Sequence, residues 1–377
     1  MEEAVEDNKK KKRFVFFRRS VVVCNYFAVA GLIASYLAPL ISPQKVWFLA
    51  FFGLSYPIWL FLNIGFMIFW IVTGRKKFLI SLIAVLIGYP MMKKIVQISP
   101  GSSVEIAKAP LKVMSYNVKV FDLYNWSHCK DTRDKMFDLI SVEAPDILCL
   151  QEFYTDDSKK FNTLDTLQRF QKAKYVHAEY LLTLLEIYHH GIATFSSYPI
   201  VNKGRIMFPE NNSNICIYTD IKINDDTVRV YNMHLQSIRF IPEEYKYIDE
   251  IKKDVNKAED IEKSKSILRR LKNAFEKRAV QADLINESIR RCKYPILLCG
   301  DFNDTPSSYA YHTIAGDLDD AFVKSGFGLG RTYIGSFPSF RIDYILHSSD
   351  LKSYEFRTLP EEYTDHHPIS CYLEIQK

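Results

Sequence analysis

A layered α/β domain behind an apolar, membrane-crossing N-terminal region is the architecture this sequence predicts, and three observations carry it. Residues 21–42 and 46–72 contain no charged side chain. From residue 99 onward, short apolar runs rich in β-branched residues recur with helical patterns between them, the mark of strands and helices packed in layers. Charge divides at the same point: of 49 Lys/Arg and 44 Asp/Glu, residues 1–99 hold 13 and 4. The first part is therefore basic and the remainder mildly acidic. A length of 377 residues, 48% hydrophobic, suits two domains and excludes a disordered chain.

The first two runs each exceed the roughly 20 residues that a helix needs to cross a bilayer core of about 30 Å. A third, residues 78–98, includes Pro90 and is interrupted by Lys93 and Lys94, so it crosses only if those lysines snorkel. The run 21–42 is too long, and too closely followed by another, for a cleavable signal peptide. Lys9 to Arg13, Arg18, Arg19 and Arg75 to Lys77 lie on one side of these runs, and Lys45, Lys93 and Lys94 on the other. The positive-inside rule puts the N-terminus in the cytoplasm, and three crossings put the rest outside it, in the periplasm if the source is bacterial. If 78–98 does not span, the rest is cytoplasmic. Residues 1–98 are thus read as a membrane anchor of about three transmembrane helices (21–42, 46–72, 78–98), 99–109 as a linker, and 110–377 as one catalytic domain.

Within that domain seven runs read as buried strands: Leu111 to Tyr116, Ile147 to Leu150, Ile192 to Phe195, Ile215 to Ile221, Val228 to Met233, Ile296 to Cys299 and Ile342 to Leu346. Helical patterns cover Thr132 to Ser141 and roughly Pro242 to Arg291. Polar residues stand where the strands stop: Asn117, Glu152, His234, Asp301 with Asn303, Asp343, and Asp365 with His366. One such residue ordinarily caps a turn. Six such positions can converge at one end of a sheet as an active site does.

Carboxylates and amide oxygens without clustered thiols suit a hard cation, Mg²⁺ or Mn²⁺, so Glu152, Asp365 and Asn117 make a candidate metal pocket. Two histidines far apart in sequence, one with a carboxylate to orient it, suit hydrogen bonding to an oxyanion. Asp301 and Asn303, on one side of an extended segment, can address one water and one oxygen. Together these groups describe metal-assisted hydrolysis of a phosphate ester.

The motifs SYNV (115–118), LQEF (150–153), NMHL (232–235), GDFND (300–304), RIDYIL (341–346) and TDHHP (364–368) resemble, in order, those of the endonuclease/exonuclease/phosphatase superfamily over about residues 110–377. The resemblance implies a four-layer α/β sandwich, two packed mixed β-sheets flanked by helices, and divalent-metal cleavage of phosphate esters by water. It further implies that Glu152 is the main metal ligand with Asn117 beside it and Asp365 as an additional metal-side carboxylate. Asp301 would orient and deprotonate the water, and Asn303 would hold a non-bridging oxygen. His234 and His366 would stabilise the charge on phosphorus, with Asp343 fixing the tautomer of His366; the neighbouring His367 is set aside by the Asp-His-x-Pro register.

Fold and motif fix the reaction better than the substrate. An acidic domain on a short linker behind membrane segments points to a phosphodiester of a lipid headgroup or another envelope substrate, with membrane lipids as partners. Nucleic acid is less favoured, because the basic excess lies outside the domain. The alternatives are a membrane-tethered nuclease and a non-catalytic membrane-binding module. The charged stretch 241–291 reads mainly as a surface helical hairpin, with a lid over the site as the sharper reading. Seven cysteines without CxxC spacing read as free thiols, several inside apolar strands.

Overall fold

The computed structural model describes residues 2–98, 101, 103–158, 161–170, 173–209, 214–253, 261–335 and 340–376. The chain divides into two compact units, Met1–Met92 with Ser307–Tyr309, and Lys93–Pro306 with Ala310–Lys377.

Helices α1 (Glu2–Leu37), α2 (Phe48–Leu54), α3 (Tyr56–Val72), α4 (Phe78–Ile87) and α5 (Tyr89–Lys93) follow one another from the N-terminus. Asn25, Ser35, Asn63 and Ser81 are buried among them, whereas Phe16, Phe27, Ile58, Phe61 and Val72 are exposed. The Asn25 amide donates to Ser81 Oγ (2.7 Å) and accepts from Trp70 Nε1 (2.8 Å), and Asn63 donates to the Ala28 carbonyl (2.9 Å). Polar ties of this kind join helices whose outer faces are apolar.

The sequence-predicted spans differ in detail. Among the described residues, one helical stretch, Val15–Leu37, is long and apolar enough to cross a membrane; the chain leaves the helix at Leu37, ahead of Pro39. The run 46–72 is bent by 63° between α2 and α3, where Ser55 Oγ bonds back to the Phe51 carbonyl and Pro57 opens the next helix. Counted as one broken span it is a second candidate. Residues 78–98 form helices of 10 and 5 residues parted at Gly88, rather than one continuous span, because Pro90 cannot continue the hydrogen-bond ladder.

The second unit is a sandwich. Its strands are β1 (Leu111–Asn117), β2 (Ile147–Asp156), β3 (Tyr175–Leu184), β4 (Tyr188–Ser196), β5 (Ile200–Ile206), β6 (Ile215–Ile223), β7 (Asp226–His234), β8 (Ile296–Asp301), β9 (Asp319–Asp320), β10 (Asp343–His347), β11 (Leu351–Thr358) and β12 (Ile369–Ile375). One sheet has the order β11-β12-β1-β2-β4-β3, the other β5-β6-β7-β8-β10-β9. Both are mixed: β1 and β2 run parallel, as do β7 and β8, and the remaining neighbours are antiparallel.

Alternation along each strand builds the layers. Val113, Ile147 and Cys149 point inward against Val230, Leu297, Cys299 and Ile345 of the facing sheet. Met114, Leu148 and Leu150 point outward against Met136, Phe137 and Ile140 of α6 (Thr132–Glu143) and Leu167 of α7 (Thr163–Phe170). On the far side, Tyr231, Met233 and Leu298 meet other helices of the chain. These are α9 (Ile261–Arg291), through Ala282 and Ile285, and α10 (Tyr309–Ala315), through Tyr311 and Ile314. The helices α8 (Pro242–Lys253) and α11 (Ala321–Ser325) complete the unit.

A polar clasp joins the sheets beneath the strand ends. Gln151 Nε2 donates to Asn232 Oδ1 (2.7 Å), and Asn232 Nδ2 donates to the Ala193 carbonyl (2.9 Å); both side chains are fully buried. Asn232→Ala strands the partners of that amide, and the expected loss of stability is about 2 kcal/mol, read by chemical denaturation of the full chain. A loss below about 0.5 kcal/mol would show that the clasp contributes nothing net.

Candidate active site

Parallel β1 and β2 pair Asn117 with Gln151, and parallel β7 and β8 pair His234 with Asp301. β1, β7 and β8 therefore finish together where β2 passes by on its way to Asp156, and antiparallel β10 brings Asp343 beside Asp301. Glu152 sits at a bulge between Leu150 and Phe153, with φ at +49°. That left-handed backbone costs energy in a non-glycine residue, and bulges re-aim side chains at functional sites.

The resulting contacts are close. Asn117 Nδ2 donates to Asp301 Oδ2 (3.0 Å) and Glu152 Oε1 (3.3 Å). His234 Nε2 lies 3.5 Å from Glu152 Oε1 and 3.7 Å from Asp301 Oδ2, yet is buried with no hydrogen-bond partner among the described residues. His366 Nδ1 faces Asp343 Oδ2 at 3.0 Å, and its Nε2 faces Asp301 Oδ2 at 3.8 Å. His367 turns away, its Nδ1 toward the Glu361 carbonyl (3.1 Å).

Two expected placements change. Asn303 has φ of +53° rather than extended backbone. The turn folds its main-chain N–H onto Asp301 Oδ1 (2.7 Å), while its amide donates to Asp301 Oδ2 (3.2 Å) and the Leu235 carbonyl (3.0 Å). Asn303 thus grips Asp301 instead of facing an open oxygen site. Asp365 is engaged by Lys119 Nζ at 2.9 Å, so its carboxylate already has a cation.

Asp301 is fully buried, which pushes its carboxyl up to about 6, with His366 opposing and Asp343 adding to the rise. Burial disfavours charge on His366, but Asp343 and Asp301 outweigh it and hold the imidazolium up to about 10. Asp301, Asp343 and His366 offer ligand atoms within 4.8 Å of one another. A ring held protonated is a donor and not a ligand, so this group reads as a hydrogen-bonded relay. Glu152, Asn117 and the unpartnered His234 nitrogen form the oxygen-rich side of the site, and that donor chemistry fits a hard divalent cation.

The raised His366 value has a consequence for stability. An imidazole near 6.5 when unfolded and near 10 when folded adds stability that is fully present below about pH 6.5. That contribution is lost as pH rises through about 10. In EDTA, the melting temperature of the full chain should fall across this window, and Asp343→Asn should flatten the fall; equal slopes in the two proteins would contradict the relay.

Several supports escaped the sequence reading. Arg278 of α9, fully buried, donates to Asp304 Oδ2 (2.9 Å) and the Gln236 carbonyl (2.8 Å), binding the loops after β8 and β7 together. An arginine amid Leu271, Ala274 and Ala282 on a buried helix face that is apolar apart from Gln281 was the available signal. Thr332 Oγ1 accepts from the Asp343 main-chain N–H (3.1 Å), and Thr364 Oγ1 from that of His366 (2.9 Å). Tyr333 stands edge-on to the His366 ring at 5.4 Å, with Tyr245 of α8 near enough to help raise the Tyr333 hydroxyl above its usual range, burial being the larger cause. In the charged stretch, α9 packs on a sheet as the helical-hairpin reading has it, and Tyr245 of α8 comes near Tyr333, a residue in contact with His366. Residues 254–260, between them, lie outside the described residues.

The sequence pattern of the Endonuclease/Exonuclease/phosphatase family matches residues 114–366, and that of a domain of unknown function matches residues 18–95. No curated protein matches the chain. Similar solved structures include the human Nocturnin catalytic domain with a bound sulfate anion, 16% identical, covering 72% of this chain and 97% of that one at a TM-score of 0.50. A family protein from Leptotrichia buccalis is 18% identical, covering 70% and 100% at 0.49. Truncated TDP2 from Caenorhabditis elegans is 16% identical, covering 70% and 98% at 0.48. At such identities the likeness concerns the fold.

Proposed function

The chain belongs to the endonuclease/exonuclease/phosphatase family, and from that premise we propose that it is a membrane-anchored, Mg²⁺- or Mn²⁺-dependent hydrolase of phosphate esters, acting on a phosphodiester of a lipid headgroup or another envelope substrate. The observation that carries the reading is the unpartnered, buried His234 Nε2 held between the Glu152 and Asp301 carboxylates. A buried polar atom left without a partner is costly, and a phosphoryl oxygen or cation at that point satisfies it.

Glu152 and Asn117 would hold the cation, which supplies Lewis acidity toward the phosphoryl oxygens. Asp301, gripped by Asn303 and raised by burial, accepts the proton of the attacking water as general base. His366, kept protonated by Asp343, donates from Nε2 to the phosphoryl group as charge builds, and His234 donates from the other side. Asp343 acts through His366 by fixing its ring. Lys119 neutralises Asp365 at the edge of the site.

The membrane anchor rests on the apolar Val15–Leu37 helix and on a helical unit with polar residues inside and Phe, Ile and Val outside. The substrate class rests on the acidic balance of residues 100–377 and on their attachment to that unit. Purified full chain is incubated with Mg²⁺ or Mn²⁺ and, in parallel, phospholipid vesicles, supercoiled DNA and a chromogenic phosphodiester. Headgroup release without nicking is the expected result. Nicking alone would make this a tethered nuclease, and no turnover of any substrate would favour a binding module.

A further inference from the structure

We propose that the catalytic end of the sandwich docks on a phospholipid bilayer through a collar of exposed apolar side chains, so that the site takes its substrate from the lipid surface itself. This rests on the phosphoesterase reading for the substrate it names, but the docking stands on separate observations.

The first is topological. Parallel β1 and β2 point to one end of the sandwich, β1 stopping at Asn117 opposite Gln151 and β2 running on past Glu152 to Asp156. The loop leaving β1 carries Tyr124 and Trp126, 61% and 48% exposed. The last residue of β2, Asp156, pairs with Tyr188, so the β3–β4 turn stands past that same end. This hairpin tip carries Leu182 and Leu184 at the end of β3 and Leu185 and Ile187 in the turn, all exposed, Leu185 by 81%. Two loops separate in sequence thus present six large apolar side chains around one end of the molecule, the end that bears the site.

The second is local. Hairpin turns that need positive φ ordinarily take Asn or Gly, as the β6–β7 turn does with Asn224 at the opposite end. The β3–β4 turn instead places Leu185 and Glu186 there, at φ of +50° and +61°. A leucine held at that backbone and projecting into water is unfavourable on both counts, and burial of its side chain in an apolar phase removes the exposure.

The third is continuity with the site. Leu181 and Leu182 line a cavity of about 630 Å³ whose other walls include Glu152 and His234. An amphiphile lifted from a bilayer keeps its apolar part against this leucine wall while its phosphate reaches the carboxylates and imidazoles. Lys119 Nζ, paired with Asp365, lies 5.2 Å from the Trp126 ring centre and ties that aromatic to the edge of the site, and Trp and Tyr are the residues that favour the membrane interface. The occupant is a bilayer rather than a protein because the same chain carries a helical unit whose outer residues are apolar.

The test reads depth, not turnover. Cys24, Cys129 and Cys292, the thiols that are not buried, are replaced by Ser, and a single bimane label is placed by Leu185→Cys or, as control at the far end, Asp225→Cys. The full chain is reconstituted in phosphatidylcholine–phosphatidylglycerol vesicles with nitroxide-bearing lipid. The label at 185 should be quenched several-fold more by the lipid nitroxide than the label at 225, and less by aqueous iodide. Equal quenching at both positions overturns the proposal. So does a label at 185 that neither quencher reaches, as a second copy of the chain seated on the collar would cause.

A paired Leu184→Asp, Leu185→Asp variant should cut hydrolysis of vesicle-borne phosphoester by about tenfold while leaving a soluble phosphodiester unchanged. Vesicle hydrolysis as fast as wild type overturns the link to the site. Lipid quenching at 185 without turnover of any ester would sustain the docking and remove the phosphoesterase reading; turnover without that quenching would do the reverse.

Discussion

Asp301→Asn should lower kcat on a phosphodiester by roughly 10³-fold, the middle of the range for loss of a positioned general base, with little change in KM. The substitution keeps the shape of a side chain that is almost wholly buried and held by Asn117 and Asn303. It removes the only property the proposed step uses, a carboxylate able to take a proton, and it sets an amide against the Asn117 amide. Steady-state kinetics at saturating Mg²⁺ measure it, with circular dichroism to show that the fold persists. A kcat within about threefold of wild type would assign the base elsewhere.

His366→Gln should cost about 10²- to 10³-fold in kcat, the usual loss when one preorganised donor to a developing oxyanion is removed. Because Asp343 works only by holding the His366 ring at 3.0 Å, Asp343→Asn should cost less, about 10- to 100-fold. The double variant should be no worse than His366→Gln alone. Additive losses would mean that Asp343 has a separate task, such as the ligand role its closeness to Asp301 and His366 would otherwise allow.

Much of this site was legible because its residues are fixed by where strands stop. The runs ending at Glu152 and Asp301 are buried on both faces and read as near-continuous apolar segments with abrupt polar ends, and those ending at Asn117 and His234 do so apart from Lys112, Ser115, Arg229 and Asn232. Strands at or near sheet edges were harder. β3, β5 and β11 show solvent on one face, and their mixed residues do not stand out as apolar runs. β12 sets Ser370, Tyr372 and Glu374 between buried Ile369, Cys371 and Leu373, with Ser370 buried and Tyr372 and Glu374 half-buried, so it too does not read as an apolar run.

What pattern could not supply is how a turn re-aims a side chain. Positive φ at Glu152 and Asn303 breaks the alternation from which an extended Asp301–Asn303 pair was expected. Lys119, itself at positive φ, lies 246 residues from Asp365, so nothing local announces their ion pair. Arg278 and the Gln151–Asn232 clasp join elements distant in the chain, and a buried polar residue in an apolar run was the only trace either left.

The most direct test of the central claim is phosphodiester turnover by the full chain stripped with EDTA and then titrated with Mg²⁺, wild type beside Glu152→Gln. The account predicts no turnover when stripped, saturable recovery in wild type, and a requirement for at least about tenfold more Mg²⁺ in the variant. Turnover in the stripped protein, or the same metal dependence in both, would contradict it.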